Sequence, residues 1–596
     1  MPRYTAPVRD TEFLLNSVFD IGQYSDIDGF KDATPDIIKA ILEESGKFSE
    51  EVVQPLNLSG DKEGCTLKNG EVSTPKGFKE AYSSFSENGW VGLCCHPEYG
   101  GQGLPQALGL SASEYVTSAN MSFGMYPGLS QGAYKALAKY GDDAQKKKYL
   151  PKLASGEWTG TMNLTEPHCG TDLGLLRTKA EKADDGSYKI TGTKIFISAG
   201  EHDLTDNIIH LVLARIEGAP EGTKGVSLFV VPKFLIGDDG SLGERNSVLC
   251  GSLEEKMGIH ANSTCVMNYD GATGWLVGEE NRGLRNMFVM MNEARLGVGI
   301  QGLAVSEVAY QNAVDYAKDR LQGRALTGPK APDKEADPII VHPDIRRNLA
   351  VMRSVNEAGR ALVLWTAIKA DLAEKSPDEK IREQADDHMG LLTPVIKGVL
   401  TDLGFDNTVM AQQVYGGHGF IQEWGMEQFV RDARITMIYE GANGIQGLDL
   451  VGRKLPRNGG RAMMAFFAEV DAFIKSHGET EDMKDLCEKL KAGRDDLEKA
   501  TMWFMANAMA NPDNAGAGAW DYMHLFGRVV LGFMWGLMIE AAHKGLSSGE
   551  GDKDFFEAKV KTGTFFMDYM MPQTTTYLAR ITAGADNLMS MPEDSF

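Results

Sequence analysis

Residues 184–198 read Asp-Asp-Gly-Ser-Tyr-Lys-Ile-Thr-Gly-Thr-Lys-Ile-Phe-Ile-Ser. Asp184-Asp-Gly186 is a hairpin-type turn signal, and the run behind it is rich in β-branched and aromatic residues. Together they predict a strand entered from a tight turn. The same texture continues at 208–216, 225–232 and 263–268, and holds from about Trp158 to about Glu280. The reading is an antiparallel β unit in the middle of the chain.

Outward from that unit the periodicity becomes helical. In 35–53, Ile37, Ile38, Ile41 and Leu42 fall on one side of a helix. Residues 108–140 read as helices broken at Pro127-Gly128. Between them, 97–105 (Pro-Glu-Tyr-Gly-Gly-Gln-Gly-Leu-Pro) is either a tight connection or a ligand-lining loop. After the β unit, 284–320 and 344–375 read as long amphipathic helices, joined by an exposed Pro-rich loop at 328–338. A third helical stretch spans 387–414, Gly416-Gly-His-Gly419 interrupts it, and order resumes over 427–440. Leu455-Pro-Arg-Asn-Gly-Gly460 is the clearest linker. Beyond it, Met463, Phe466, Phe467, Val470, Phe473 and Ile474 share one helical face. The fold class is therefore α+β. Four segments are expected: an N-terminal helical domain (1–160), a β domain (161–283), a second helical domain (284–455) and a C-terminal helical extension (456–596). One β block inside two helical blocks is not the alternation of a dinucleotide-binding Rossmann fold.

Composition narrows the function classes. The 596 residues are 42% hydrophobic and 24% charged, which is ordinary globular usage. Asp+Glu number 83 against 60 Lys+Arg, a net charge of −23. Such a surface repels nucleic-acid phosphates and anionic lipid, so neither is an expected partner. The longest apolar run, 529–539, falls far short of the roughly 20 residues of a membrane span and reads as a core helix. The N-terminus has no apolar signal segment. The seven cysteines are scattered with no Cys-x-x-Cys, which predicts reduced thiols, a cytoplasmic setting and no metal site.

Three motifs carry chemistry. In Met162-Asn-Leu-Thr-Glu-Pro-His-Cys-Gly-Thr-Asp172, the hydroxyls of Thr165 and Thr171 and the Gly170 backbone suit a polar ring edge or a phosphate; a capped loop entering a sheet is the plainer reading. In Lys194-Ile-Phe-Ile-Ser-Ala-Gly200, Phe196 and Ser198 lie two residues apart, on one face of a regular strand, suited to a flat heteroaromatic ring. In Ile438-Tyr-Glu-Gly-Ala-Asn-Gly-Ile-Gln446, Glu440 follows an apolar run. It reads as a helix-end carboxylate or as a general base tuned by desolvation.

Taken together and in this order, with Gln413-Val-Tyr-Gly-Gly-His-Gly-Phe420 and Arg320-Leu-Gln-Gly-Arg324, the motifs resemble the flavin-dependent acyl-CoA dehydrogenase family over about residues 35–455. Residues 3–10, 196–203, His342-Pro-Asp-Ile-Arg-Arg347 and the C-terminal extension resemble a long subgroup that includes bacterial 3-methylmercaptopropionyl-CoA dehydrogenases. The resemblance implies that 161–283 is a β-barrel domain and 284–455 a helical bundle, with FAD as cofactor at the interface of a homodimer. Met162, Leu164 and Thr165 would flank the flavin ring, Gly170 and Thr171 its ribityl and pyrophosphate side or the CoA entrance, and Phe196 and Ser198 the other side. Arg320, Gln413 and Gly417 would reach the partner subunit's FAD. Thr171, Arg295, Glu440 and Gly441 would contact substrate. Three positions depart from better-known members: Met162 stands for a tyrosine, Phe196 for a tryptophan, and Ala442 for a threonine that helps hold FAD.

The implied reaction is α,β-dehydrogenation of an acyl-CoA thioester to a trans-2-enoyl-CoA, with Glu440 taking the α-proton and flavin N5 the β-hydride. In some members the base lies on another helix, directly before the arginine matched by Arg295. Here Ala294 precedes Arg295, and Glu293 is turned about 100° away on the helix, so Glu440 is the one base. The expected substrate is 3-methylmercaptopropionyl-CoA, and the expected electron acceptor an electron-transfer flavoprotein. Competing readings are a straight-chain fatty acyl-CoA dehydrogenase, an acyl-CoA oxidase and a flavin-containing DNA-associated protein. From Pro456 onward, 14 basic residues against 21 acidic ones speak against the last.

Overall fold

The computed structural model describes residues 2–237, 239–549 and 551–596. The chain divides into two compact units. One comprises Glu44–Leu104 and Tyr115–Gly297; the other comprises Met1–Glu43, Pro105–Glu114 and Val298–Phe596.

The first unit holds the strands: β1 (Thr66–Lys68), β2 (Glu71–Ser73), β3 (Trp158–Asn163), β4 (Lys179–Lys182), β5 (Tyr188–Ser198), β6 (Asn207–Ile216), β7 (Val226–Pro232), β8 (Phe234–Ile236), β9 (Leu242–Arg245), β10 (Val248–Leu253) and β11 (Thr264–Leu276). The predicted hairpin is β4–β5. Its turn closes with Ala183 N–H accepted by the Ser187 carbonyl at 2.9 Å, and Gly186 has φ +84°. β5 also pairs with β11, β11 with β7, β7 with β6, and β6 with β4. That circuit closes a five-stranded barrel, and β10 and β3 extend it along β11 and β6.

The barrel is not wholly antiparallel, as the sequence reading had it. β4 and β3 both run parallel to β6. Each antiparallel joint reverses direction, and a closed circuit must return to its starting direction. A ring with an odd number of strands therefore needs at least one parallel joint, a constraint that no local pattern announces. Every residue of β7 is buried, whereas the first half of β5 alternates buried and exposed; β7 is thus covered on both faces and β5 on one.

The helical break falls at Asn120, not at Pro127-Gly128. Gln106–Ala119 and Met121–Tyr140 are separate helices, and Pro127 lies inside the second. Asn120 is extended, and its side chain accepts the Phe123 N–H at 3.1 Å. A capping side chain satisfies an orphan donor at that start, whereas Pro127 forfeits one bond within a buried stretch. The helix Pro35–Phe48 leaves Ile37 43% exposed while Ile38 and Leu42 are buried.

The second unit is helical. Its long helices are Gly283–Asp319 (from Val298), Pro343–Lys375, Glu379–Val414, Arg461–His477, Lys484–Asn507, Asp513–Ser548 and Lys553–Tyr569. Met463, Phe466, Phe467, Val470 and Phe473 are buried as one face; Ile474 is half-buried. Asp513–Ser548 is the one described helix long and apolar enough to cross a membrane, but 89% of its most apolar window is buried inside the protein. It is a core helix, and its Trp535 indole N–H reaches the Ser354 carbonyl at 3.0 Å. The Pro-rich loop at 328–338 is firmly held: the buried Asp337 carboxylate accepts from the backbone of Ala325 (2.9 Å), Lys330 (2.9 Å) and Ala331 (2.7 Å) and from Arg324 (3.2 Å).

Candidate active site

In the strand-bearing unit, Met162 is the penultimate residue of β3, and the chain after the strand folds back on itself. Glu166 and Cys169 exchange backbone hydrogen bonds of 2.8 and 3.0 Å. This narrow loop sets Thr165 beside Gly170, where an added Cβ would lie 3.3 Å from the Thr165 methyl. β5 meets the loop directly: Ile195 N–H donates to the Thr165 carbonyl at 2.9 Å, and Lys194 Nζ donates to the Leu164 carbonyl at 2.9 Å. The first two motifs are thus joined. Leu164 is buried, Met162, Thr165 and Ser198 are half-buried, and Gly170 and Thr171 are exposed.

The regular-strand reading of Phe196 and Ser198 needs correction. The β5–β11 register shifts where Ile195 and Phe196 pass Val266, and Phe196 has φ +58°. Alternation therefore fails at this bulge, and Phe196 is re-aimed. The residue is 60% exposed. A non-glycine residue in the left-handed region costs about 1–3 kcal/mol, and such strain concentrates at functional sites.

Sequence reasoning did not single out the groups that hold this shelf. Glu166 accepts from Arg177 N–H (2.7 Å), Thr178 N–H (3.0 Å), Thr178 Oγ1 (2.6 Å) and Lys194 Nζ (2.9 Å). Burial raises its pKa, but the Lys194 ammonium and the hydrogen bonds outweigh burial and hold it below the usual carboxylate range. Lys194 is itself lowered, because burial outweighs its pairing with Glu166. The available signals were a lysine among apolar strand residues and a glutamate inside the quoted motif. The ligand atoms of Glu166, His168 and Cys169 approach within 4.8 Å of one another, a grouping the cysteine and histidine spacing did not suggest. The set does not suit a cation. Lys194 already occupies Glu166, and His168 Nε2 donates to the Leu175 carbonyl at 2.9 Å.

The 201–203 part of the second subgroup stretch, 196–203, is structural. Glu201 pairs with Lys233 and, at 2.8 Å, with Arg245, and Asp203 accepts from Thr74 N–H and Oγ1 at 3.0 and 2.7 Å. Burial holds His202 down at about 3. In the same unit Arg295 is buried and lies 6.0 Å from the Phe288 ring centre, while Glu293 pairs with Lys135 at 2.7 Å.

In the helical unit, Glu440 is not at a helix end. It lies in the loop between Met426–Thr436 and Asn443–Asp449, half-buried, with φ +58°. Gln446 Nε2 donates to the carbonyls of Glu440 and Gly441, at 3.1 Å each. Lys397 Nζ, fully buried, donates to the Gly441 carbonyl at 2.8 Å and to Asn443 Oδ1 at 2.7 Å. The Tyr439 hydroxyl donates to Gln301. Arg320, Gln413 and Gly417 are all exposed around a packed aromatic group. Tyr316 stacks on Tyr415 at 4.1 Å, His418 stacks on Trp424 at 4.4 Å, and the Tyr316 hydroxyl meets His418 Nδ1 at 2.9 Å.

Four family models account for most of the chain. They are the acyl-CoA dehydrogenase N-terminal domain (38–157), middle domain (161–272) and C-terminal domain (281–455), and an acetyl-CoA dehydrogenase C-terminal-like domain (466–592). The chain belongs to the acyl-CoA dehydrogenase family. It is 44% identical to the 3-methylmercaptopropionyl-CoA dehydrogenase of Ruegeria pomeroyi, over 98% of this chain and 99% of that one. The broad-specificity linear acyl-CoA dehydrogenase of Mycobacterium tuberculosis is 33% identical over the full length of both. An acyl-CoA dehydrogenase complexed with FAD from Bacillus anthracis has the same fold, with a TM-score of 0.76 and 20% identity over 96% of this chain and 91% of that one. This acyl-CoA dehydrogenase is an FAD-dependent oxidoreductase acting on acyl-CoA. The residues present fit that cofactor: the exposed Phe196 ring is an uncovered aromatic surface, and Thr165 and Ser198 supply hydroxyls close by in the fold.

Proposed function

We propose that this acyl-CoA dehydrogenase oxidises the Cα–Cβ bond of 3-methylmercaptopropionyl-CoA, giving the trans-2-enoyl thioester, with Glu440 as the base. The observation that carries the assignment of the base is the loop around Glu440. A carboxylate is set at φ +58°, and the carbonyls of Glu440 and Gly441 are pinned by Gln446 and Lys397. That arrangement holds a proton acceptor in one place. The substrate reading rests on the 44% identity to the Ruegeria pomeroyi enzyme.

The Glu440 carboxylate takes the proton from the α-carbon. That hydrogen is too weakly acidic in a free thioester, so the carbonyl oxygen needs hydrogen-bond donors; we assign one of them to the Glu440 N–H. Bound FAD supplies the two-electron acceptor for the hydride leaving the β-carbon. Met162, Leu164, Thr165, Gly170, Thr171, Phe196 and Ser198 are read as its contacts, with Arg320, Gln413 and Gly417 on a partner subunit's FAD. Arg295 and Thr171 are assigned to the substrate side. A homodimer, an electron-transfer flavoprotein as acceptor and a cytoplasmic setting complete the reading. A particle of twice 65.0 kDa by sedimentation would support the dimer.

The test is an anaerobic titration of the flavin band with 3-methylmercaptopropionyl-CoA, butanoyl-CoA and palmitoyl-CoA in turn. We expect fastest bleaching by the first. In Glu440→Gln, flavin stays bound and bleaching slows about 10²–10⁴-fold. Faster bleaching by butanoyl- or palmitoyl-CoA would move the assignment to straight-chain substrates, as the linear-chain mycobacterial relative suggests. Unimpaired bleaching in Glu440→Gln would sink the base.

A further inference from the structure

The helix Asp513–Ser548, in the C-terminal extension, carries Trp520, His524 and Arg528 at successive intervals of four, on one face. Trp520 Nε1 and His524 Nε2 both donate to Asp402 Oδ2, at 2.9 and 2.8 Å. The other Asp402 oxygen accepts from Asn443 Nδ2 at 2.5 Å. Asn443 Oδ1 accepts from Lys397, which also holds the Gly441 carbonyl, one residue from Glu440. The link is also steric. A Cβ on Gly447, in the helix that follows Glu440, would lie 2.8 Å from the Ala519 carbonyl, so the two backbones touch.

From these contacts we infer that the C-terminal extension is part of the catalytic loop's framework: Asp402, held by Trp520 and His524, acts with Asn443 and Lys397 as a set of positioning residues for Glu440. The inference rests on the reading of Glu440 as the base.

The polarity of the chain makes it a positioning device as well as packing. The Trp520 indole and a lysine ammonium can only donate, and a carboxylate can only accept. Asp402, together with the Gly398 carbonyl at 3.1 Å and Thr401 Oγ1 at 2.9 Å, therefore fixes which end of the Asn443 amide faces them, and the other end must face Lys397. Burial lowers the His524 pKa even against Asp402. The ring is then neutral and carries its proton on Nε2, where the carboxylate requires a donor. Asp402, Asn443, Lys397 and His524 are all buried, so an error at one link is not absorbed by solvent. A shift of about 1 Å in a reacting group costs about 10²-fold in rate.

The experiment uses the full-length, flavin-loaded enzyme. Trp520→Phe and His524→Leu, singly and together, remove the two donors with modest change in volume; His524→Gln returns a donor. Four quantities are read: the rate of anaerobic flavin reduction at saturating thioester, the half-saturating concentration, flavin per chain, and the isotope effect with α-dideuterated substrate. We expect the double variant to reduce flavin about 10–100-fold more slowly, with half-saturation and flavin content within about twofold and a larger isotope effect. His524→Gln should recover most of the loss seen in His524→Leu. Wild-type reduction rates in flavin-replete variants would overturn the inference. So would a rate that falls only in proportion to lost flavin or folded protein, since that marks packing alone. Glu440→Gln is run in parallel. If it reduces flavin normally, the base assignment fails and takes the inference with it; if it is inactive while the Trp520 and His524 variants are normal, the inference alone fails.

Discussion

Phe196 and Glu440 share a backbone feature, φ +58° on a side chain that resists it. Residue identity at both positions was legible in the motifs; conformation was not. The bulge that re-aims Phe196 is a register shift against β11, a strand some seventy residues later in the chain, and no window around Phe196 contains it. Strain there gives a prediction. Glycine adopts positive φ without steric strain, at an entropic cost that offsets part of the gain, and an exposed ring forfeits little burial on removal. Phe196→Gly should leave the thermal stability of the flavin-free protein within about 1 kcal/mol of the parent. It should weaken FAD binding about tenfold, as expected for losing an aromatic contact worth about 1–1.5 kcal/mol. Differential scanning fluorimetry and flavin fluorescence titration read the two effects separately. A large stability loss with unchanged FAD affinity would refute the assignment of the ring to the flavin.

At the scale of elements, two boundaries show what decides between competing local rules. Pro127 is a helix breaker by sequence, yet the break is at Asn120, where a side chain caps the new helix. Asn120→Ala should cost about 1 kcal/mol, to as much as about 2, read as a lowered denaturant midpoint; Asn120→Ser should recover most of it. The loop around 328–338 reads as exposed because of its prolines and charges, but it is organised by Asp337. Burial pushes that carboxyl up, and the backbone N–H groups of Ala325, Ala331 and Lys330 with the Arg324 guanidinium pull it down further, to about 2. A depressed carboxylate stabilises the fold above its unfolded pKa, near 3.9, and loses that contribution as pH falls to its folded value. The loop should therefore stay protected from proteolysis at pH 5 and loosen between about pH 4 and pH 2. Asp337→Asn should be cleaved there already at neutral pH.

Across the helical unit, a buried ionic cluster ties together segments far apart in the chain. Arg360 binds Asp10 at 2.6 Å, Glu114 at 2.6 Å and Glu307 at 3.2 Å, while Lys559 binds Asp10 and, at 2.8 Å, Glu357. Burial works against the charge on Asp10, but Lys559 and Arg360 hold its carboxyl below the ordinary range. Removing one partner strands the others, so Arg360→Met should destabilise the protein by about 3–5 kcal/mol in urea or guanidinium. A loss within about 1 kcal/mol would show that the carboxylates relax to water. The sequence by itself determined the order of helical and β segments and the family, because those depend on local periodicity and on short motifs whose residues are neighbours in the chain. Only the tertiary structure decided the parallel joints of the barrel, the bulge at Phe196, the pairing of Glu166 with Lys194, and the path from Trp520 and His524 through Asp402 to the loop of Glu440. These depend on side chains up to hundreds of residues apart meeting in a buried interior, where donors and acceptors must be matched and water cannot compensate an error.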